Sequence, residues 1–260
     1  MEPSPLLEIT NLNVEFSARK RVIRALRNVN LKIPKGGIVG VVGESGCGKS
    51  TLILSIMRLL ASNARVTEGE VMFDGRNLLA ISEREMQSVR GNDISMIFQD
   101  PLTSLNPVIS IGQQLIDVQY RDATSRKEKS QRAIDALAQV GIPDANTRMT
   151  SYPHQFSGGM RQRIAIAMTM IEQPTLLIAD EPTTALDATL EVQIIRELKL
   201  LQEQYECSIL FVSHHLGVVA DLCDYSPALI EVQNFRSVCD VYCFFVNSKA
   251  AATADSSAGV

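Results

Sequence analysis

The sequence predicts an α/β fold with a parallel, doubly wound sheet, and a few of its segments carry this prediction. Residues 38–42 (IVGVV) and 175–180 (TLLIAD) are short apolar runs, as expected of strands that are buried on both faces. A helical segment with four leucine and isoleucine residues on one stripe follows at 190–201, and another strand (CSILFV) follows at 207–212. Alternation of such strands with helices favours a parallel sheet.

Alternating apolar residues near the start of the chain predict a second, antiparallel part of the structure. Leu12, Val14 and Phe16 stand at every second position, as in a half-buried strand. Residues 70–75 (EVMFDG) alternate in the same way and end in Asp-Gly, a dipeptide suited to a tight turn with positive φ. We therefore expect an antiparallel β edge beside the parallel core.

The middle of the chain, at about 99–157, predicts an inserted helical subdomain. Ser125 followed by Glu128 fits a capping box at the start of a helix. Gly141 and Pro143 then supply a helix stop. Helices are therefore expected to dominate this insert.

Composition limits the classes of function that the motifs can indicate. A chain of 260 residues that is 45% hydrophobic can bury a core as one domain with an insert. The formal net charge of −4 gives no strong attraction for nucleic acid, and no apolar run approaches the ~18–20 residues that cross a bilayer. Five scattered cysteines and a start without a secretory signal pattern favour a reducing cytoplasm.

The strongest chemical signal is GESGCGKST at residues 43–51, which matches the phosphate-loop pattern. Its glycines let backbone N–H groups face one anion, and the helix expected at 52–61 adds its positive end. Lys49 is predicted to reach the β- and γ-phosphates of a nucleotide, and Ser50 to ligate Mg²⁺. An accidental match arises in roughly one chain in a hundred of this length, so a simple turn is the weaker alternative.

Two carboxylates form the second signal, at the end of the predicted strand LLIADE. Asp180 suits a direct or indirect contact to Mg²⁺, and Glu181 is placed to polarise a water for attack on the γ-phosphorus. An acidic pair at a strand end is usually a solvated turn. Together with a phosphate loop, however, the pair predicts the second half of a nucleotide site.

A third motif, FSGGMRQR at residues 156–163, stands before an apolar helical run. Ser157 is the expected N-cap, and the two bare glycines leave the helix amides open to an anion. Phosphate loop, S-G-G-x-R-Q-R, D-E-P-T, A-L-D and a strand ending in S-H follow one another along the chain. This order resembles that of ABC ATPases, which are P-loop NTPases. The chain is most similar to the ATP-binding subunits of oligopeptide and dipeptide permeases, in part through FQDPLTSLNP, and the resemblance covers about residues 7–224.

The resemblance implies a set of nucleotide contacts. Phe16 would stack on adenine, although a role as a core strand residue is an equal alternative. The signature residues, Ser157, Gly158 and Gly159, would contact the γ-phosphate held by a second subunit. Asp187 would lie at that interface or serve only as the N-cap of the next helix. The expected nucleotide-binding residues are Phe16, Gly43, Glu44, Ser45, Gly46, Cys47, Gly48, Lys49, Ser50, Thr51, Ser157, Gly158, Gly159 and Asp187.

The resemblance to ABC ATPases also implies a set of catalytic residues. Gln99 would touch Mg²⁺ and the attacking water and respond to a membrane partner, and His214 would contact the γ-phosphate. The expected catalytic residues are Glu181, His214, Gln99 and Lys49, and the expected Mg²⁺ ligands are Ser50, Gln99 and Asp180. Two positions depart from the family pattern: His215 stands where the family usually has aspartate, and Met160 where the signature usually has glutamine.

The function implied by the resemblance is ATP hydrolysis that powers solute import at the cytoplasmic face of the cell membrane. The expected partners are a second ABC ATPase subunit, in a homo- or heterodimer, and integral membrane permease subunits, with a solute-binding protein acting indirectly. Peptide is the expected solute, and nickel, glutathione or another small solute are alternatives. A soluble ABC ATPase of DNA repair or translation is a further alternative, but the acidic balance disfavours a nucleic-acid partner.

The resemblance ends after Asp224. The expected organisation is an ATPase domain at 1–224 and an atypical, partly disordered tail at 225–260. A truncated or frame-shifted gene is one hypothesis for this ending, and it would leave the fold incomplete at one sheet edge. The run VYCFFV within the tail is apolar and β-prone, and the spacing Cys239-x-x-x-Cys243 is only a weak indication of a metal site.

Overall fold

The computed structural model describes residues 4–18, 21–100, 104–183, 188–222, 230–231 and 242–246. The strands in chain order are β1 (Pro5–Ala18), β2 (Arg21–Pro34), β3 (Ile38–Val42), β4 (Ala64–Phe73), β5 (Arg76–Asn77), β6 (Ile94–Ile97), β7 (Leu176–Asp180), β8 (Ser208–Ser213), β9 (Ile230–Glu231) and β10 (Tyr242–Val246). The helices are α1 (Lys49–Ile56), α2 (Glu83–Val89), α3 (Ile111–Asp117), α4 (Arg126–Gln139), α5 (Ala145–Arg148), α6 (Gly158–Met170), α7 (Ala188–Tyr205) and α8 (Leu216–Leu222), with a 3₁₀ turn at Pro153–Gln155.

The main sheet has the strand order β6-β7-β8-β3-β10-β9. Strands β6, β7, β8 and β3 are parallel to one another, which confirms the predicted α/β fold. Their carboxyl ends share one edge of the sheet, where ligands bind in open α/β folds. The phosphate loop follows β3, Gln99 follows β6, Glu181 follows β7 and His214 follows β8, so the topology brings these residues to one place.

Side chains of the parallel strands alternate between two apolar clusters, one on each face of the sheet. One cluster includes Val39, Val41, Ile178 and Leu210, and it is shared with the antiparallel sheet and α1. The other includes Ile38, Val42, Leu177 and Phe211, and it is shared with α4, α6 and α7. Burial on both faces explains why these strands read as continuous apolar runs in the sequence.

The predicted antiparallel part is confirmed, but it forms a separate four-stranded sheet with the order β2-β1-β4-β5. Leu12 and Val14 are fully buried in β1, whereas Phe16 is partly buried. Asp74 and Gly75 have φ values of 44° and 78° and join β4 to β5. The Asp-Gly turn therefore has the positive φ that its sequence predicts.

The segment between β6 and β7 is mainly helical, as expected, although the exact boundaries of the insert stay a prediction. The capping box at the start of α4 is confirmed: Glu128 N donates to Ser125 Oγ at 3.3 Å, and Ser125 N donates to the Glu128 carboxylate at 2.9 Å. Gly141 has a φ of 71° just after the helix. Among the described residues no helix is long and apolar enough to span a membrane.

The helix predicted at 52–61 is shorter than expected, because α1 ends at Ile56. Arg58 has a left-handed φ of 51°. The side chain of Arg90 donates from Nε to the carbonyl oxygen of Met57 at 2.8 Å. This carbonyl is thus bonded by a side chain that follows α2, and the backbone leaves the helical conformation at Arg58.

In the described part of the tail one strand pairs with β3, and the expectation of an incomplete sheet edge stays a prediction. Strand β10 pairs antiparallel with the whole of β3, from Tyr242 opposite Val42 to Val246 opposite Ile38. An apolar, β-prone run can bond the N–H and C=O groups that a strand edge offers. Cys239 lies outside the described residues, so the Cys239–Cys243 spacing remains untested.

Candidate active site

The strand–loop–helix arrangement predicted for the phosphate loop is present. The loop leaves β3 after Val42 and enters α1 at Lys49. Gly46 and Gly48 have φ values of 81° and 116°, a region that side-chain-bearing residues rarely adopt. Gly48 is also the N-cap of α1 and has no side chain to cap the helix. The first amides of α1 therefore face the loop with an anion as their natural partner.

Lys49 lies folded across this loop. Its side chain is 5% exposed, and Nζ donates to the carbonyl oxygens of Gly43 at 2.5 Å and Glu44 at 3.0 Å. Cys47 is 1% exposed and packs in the core, so its part in phosphate binding is restricted to the backbone. These bonds hold the Lys49 side chain against the loop backbone, and its contact with phosphate stays a prediction.

Glu181 is the point at which the predicted catalytic residues meet. Its Oε2 accepts a hydrogen bond from Gln99 Nε2 at 3.0 Å, and His214 Nδ1 lies 3.1 Å from the same oxygen. Its Oε1 lies 3.7 Å from Lys49 Nζ. Side chains that follow four parallel strands therefore converge on one carboxylate. The structure brings together all four residues of the predicted catalytic set.

The backbone of Glu181 is in the left-handed region, with a φ of 46°. Such a conformation costs a residue other than glycine about 1–3 kcal/mol and persists only where the surroundings hold it. One such contact is the hydrogen bond that Glu181 N donates to the carbonyl oxygen of Val212 at 2.8 Å. Strain of this kind is typical of functional sites, and the sequence does not reveal it.

Asp180, one residue earlier, is a partly buried carboxylate. Burial raises the pKa of Asp180 above its ordinary value, and the neighbouring charge of Glu181 raises it further. A hydrogen bond from Ser50 and the charge of Lys49 act in the opposite direction. Two carboxylates, Asp180 and Glu181, thus lie close to the single positive charge of Lys49. A bound cation would offset the remaining negative charge.

The residues at this place fit Mg²⁺. Ser50, Asp180 and Gln99 offer hydroxyl, carboxylate and amide oxygens, which are the ligand types that Mg²⁺ prefers. Within the part of the chain that the structure describes, no three acidic, histidine or cysteine side chains are grouped to hold a metal by themselves. Mg²⁺ in nucleotide sites commonly takes most of its ligands from phosphates and water.

Asp180→Asn is expected to raise the Tm of the nucleotide-free protein by a few degrees at neutral pH. A carboxyl whose pKa is raised by folding costs stability above its folded pKa, and this cost disappears as the pH falls toward the unfolded value of 3.8. Asparagine removes the cost at every pH, so the difference from wild type should shrink on acidification. Thermal unfolding without Mg²⁺ across this pH range measures it.

Asp135→Asn, at an exposed carboxylate of α4, is the matched control and should change the Tm little at any pH. The Tm increase that Mg-ATP produces should be smaller in Asp180→Asn than in wild type. A lower Tm of Asp180→Asn at neutral pH would contradict the assignment of a destabilising buried charge.

A pocket of about 320 Å³ lies over the phosphate loop. Its lining includes Phe16, Ser45, Thr51, Gln99 and Glu181. Phe16 also packs against the core cluster, so its adenine contact stays a prediction. Two further lining residues that the sequence reasoning missed are Ile23 and Ala25 of β2. Their period-two spacing places them on one face of the strand, and the register sets Ile23 opposite Phe16.

The signature residues occupy a different surface. Ser157 is confirmed as the N-cap of α6, because its Oγ accepts a hydrogen bond from Met160 N at 3.3 Å. Ser157 and Gly158 are exposed, and an added Cβ at Gly158 would meet nothing within 4 Å. Of the described residues, those that line the pocket do not include Ser157, Gly158 or Gly159. Asp187 lies outside the described residues.

The sequence of this chain is similar to those of known transport ATPases. Residues 26–184 match the protein-family model described as ABC transporter. The chain is 48% identical to the dipeptide transport ATP-binding protein of Lactococcus lactis subsp. cremoris, over 85% of this chain and 64% of that protein. It is 46% identical to the oligopeptide transport ATP-binding protein of Bacillus subtilis, over 84% of this chain and 62% of that protein. The chain therefore spans less than two thirds of the length of these curated relatives.

The fold has a close counterpart among solved structures. A dimeric ATP-binding cassette in a post-hydrolysis state, bound to ADP and phosphate, superposes with a TM-score of 0.71. The match covers 83% of this chain and 90% of that chain, at 30% sequence identity.

Proposed function

Because this chain belongs to the ABC transporter family, we propose that it binds and hydrolyses ATP to power the import of peptides through separate membrane permease subunits. One observation carries the proposal: Lys49, Gln99 and His214 converge on the carboxylate of Glu181 beside the phosphate loop. A loop built only for a tight turn does not require this arrangement. Purified protein should therefore release phosphate from ATP when Mg²⁺ is present.

The first step of the proposed cycle is binding of the nucleotide phosphates by the phosphate loop. The amides between Gly43 and Lys49, with the positive end of α1, surround the β- and γ-phosphates. Lys49 exchanges its bonds to the carbonyl oxygens of Gly43 and Glu44 for bonds to phosphate oxygens. Ser50, Asp180 and Gln99 would hold Mg²⁺, which neutralises charge on the phosphates when it is bound.

Hydrolysis then depends on Glu181. Its carboxylate accepts a hydrogen bond from a water and orients that water toward the γ-phosphorus. Gln99 and His214, which both contact Oε2 of this carboxylate, fix its direction. His214 is half exposed and can turn from this contact toward the γ-phosphate.

A second subunit completes the site. Ser157 and Gly158 lie exposed at the start of the thirteen-residue helix α6, with their amides open to an anion. We propose that they contact the γ-phosphate held by another ATPase subunit, in a homo- or heterodimer. Closure of the dimer and occupancy by ATP are then coupled, and loss of the γ-phosphate allows reopening. ATPase activity should accordingly rise more steeply than in proportion to protein concentration.

The proposed permease contact lies beside Gln99. A groove of about 360 Å³ is lined by residues of β6 and α6, by Phe98 and by the segments that follow α1, α2 and α3. Three large apolar residues of this groove are strongly exposed: Leu59, Phe98 and Tyr120. Phe98 immediately precedes Gln99, so a membrane subunit that packs on Phe98 can displace Gln99. This contact would hold the protein at the cytoplasmic face of the membrane.

Peptide is proposed as the solute because both relatives described above are named for dipeptide or oligopeptide transport. A solute-binding protein would deliver the peptide to the permease and would act on this chain only indirectly. Uptake of labelled dipeptides by cells that carry or lack the gene tests this point. Uptake of nickel or glutathione in place of peptides would contradict it.

Tyr120→Ser is expected to weaken association with the permease by at least ~10-fold and to leave basal ATP hydrolysis unchanged. Exposed aromatic residues dominate such contacts, and Tyr120 is 72% exposed with Arg121 over its ring. Co-purification from detergent-solubilised membranes and labelled peptide uptake measure the effect. Leu200→Ser, at a 63% exposed position of α7, is the control. Equal losses in both variants would contradict the groove assignment.

A further inference from the structure

The left-handed backbone of Glu181 needs support from both sides along the chain. On one side, β7 and the bond from Glu181 N to the Val212 carbonyl oxygen fix its position. On the other side, Pro182 is buried and has a fixed φ, so few torsions separate Glu181 from the next residue. Whatever holds Thr183 therefore also restricts Glu181.

A short hydrogen bond holds Thr183 in place. Its side chain is 4% exposed, and Oγ1 donates to Glu191 Oε1 at 2.7 Å. An O–H donor on a carboxylate acceptor forms one of the stronger hydrogen bonds in proteins. Glu191 stands in the first turn of α7, an eighteen-residue helix that packs into the core. The bond thus joins the segment after Glu181 to a rigid element.

We propose that Thr183 and Glu191 are positioning residues for hydrolysis. Their hydrogen bond keeps Glu181 in the left-handed conformation, so that its carboxylate meets Gln99 and His214. This inference rests on the proposed function. Neither residue lines the pocket over the phosphate loop, which means that they act through Glu181 and not on the nucleotide.

The hydroxyl group is the part of Thr183 that matters. Valine has the same shape as threonine but no hydroxyl donor. Thr183→Val therefore removes the hydrogen bond and still fills the space that the threonine side chain occupies. The carboxylate of Glu191 then lacks this donor, and the segment after Glu181 can relax. A small displacement of a catalytic group is enough to slow a reaction by about 100-fold. Binding of the phosphates by the loop depends on other residues and should not change.

Thr183→Val is expected to lower the kcat of Mg-dependent phosphate release by about 10- to 100-fold, with KM and the Kd for Mg-ATP unchanged within about twofold. Thr183→Ser keeps the hydroxyl and should retain most of the activity. Glu191→Gln keeps an acceptor oxygen and should lose little, whereas Glu191→Ala should resemble Thr183→Val. Because one bond is lost in either case, the double variant should be no slower than the worse single variant.

Several outcomes would overturn the proposal. They are wild-type kcat in Thr183→Val, equal losses in Thr183→Ser and Thr183→Val, or losses that multiply in the double variant. If Thr183→Val does not fold, Glu191→Gln and Glu191→Ala decide the question by the same comparison. Absence of phosphate release from the wild-type protein would instead contradict the proposed function, which separates the two failures.

Discussion

Glu181→Gln is expected to bind Mg-ATP nearly as well as wild type and to lose at least ~100-fold in kcat. Glutamine has the same shape and can still bond Gln99, but it cannot accept a proton from the attacking water. Because the proposed phosphate contacts come from the loop and not from Glu181, the loss should fall on the chemical step. Steady-state phosphate release and a fluorescent-nucleotide titration measure the two quantities separately.

Glu203→Gln provides the matched control for this change. Glu203 is an exposed carboxylate of α7, and its substitution should leave kcat within about twofold of wild type. Full ATP hydrolysis by Glu181→Gln would show that another group activates the water. Simultaneous loss of Mg-ATP binding would show that Glu181 serves the ground state rather than the reaction.

Lys49→Ala has the second large expected effect, on binding as well as turnover. A charged hydrogen-bond donor contributes about 10- to 100-fold in affinity, and Lys49 is the lysine of the phosphate loop. Its removal also leaves the carbonyl oxygens of Gly43 and Glu44 without their present donor, which adds a cost to the folded loop. The Kd for Mg-ATP should rise by that factor and kcat/KM should fall further.

Lys127→Ala is the control for the charge change, because Lys127 is an exposed lysine of α4. It should leave both Kd and kcat unchanged. Wild-type affinity in Lys49→Ala would contradict the assignment of the loop as the phosphate site. A drop in Tm without a change in Kd would restrict Lys49 to a structural role.

Local features of this fold could be predicted from the sequence because they depend on neighbours along the chain. The bounds of β3 follow from an apolar run that stops at Gly43, and the capping box at Ser125 and Glu128 is set by residues three apart. Glu181 was predicted from the acidic pair at the end of an apolar strand, whereas Gln99 and His214 were predicted through the family resemblance. The strand order, which the structure supplies, then places all three residues at one edge of the sheet.

Features that depend on distant contacts could not be predicted. The end of α1 coincides with a hydrogen bond to the carbonyl of Met57 from Arg90, which follows α2. The pairing of β10 with β3 joins residues some 200 positions apart, beyond the reach of any local pattern. The left-handed φ of Glu181 occurs together with a hydrogen bond from its N–H to the Val212 carbonyl oxygen of β8, a residue far along the chain.

The sequence also did not predict several contacts of individual side chains. The phosphate-loop pattern predicts that Lys49 binds phosphate, but not that it bonds the loop's own carbonyl oxygens. Likewise, Thr183 and Glu191 are eight residues apart, and only the position of α7 brings them together. Such contacts depend on the packing of whole elements.

A titration of the purified, folded full chain with labelled ATP and Mg²⁺ tests the central claim most directly. If the backbone amides from Gly43 to Lys49 surround the phosphates, uptake should saturate near one nucleotide per chain, and Lys49→Ala should weaken it by about 10- to 100-fold. A sample with the expected secondary structure by circular dichroism that takes up no ATP saturably would contradict the account.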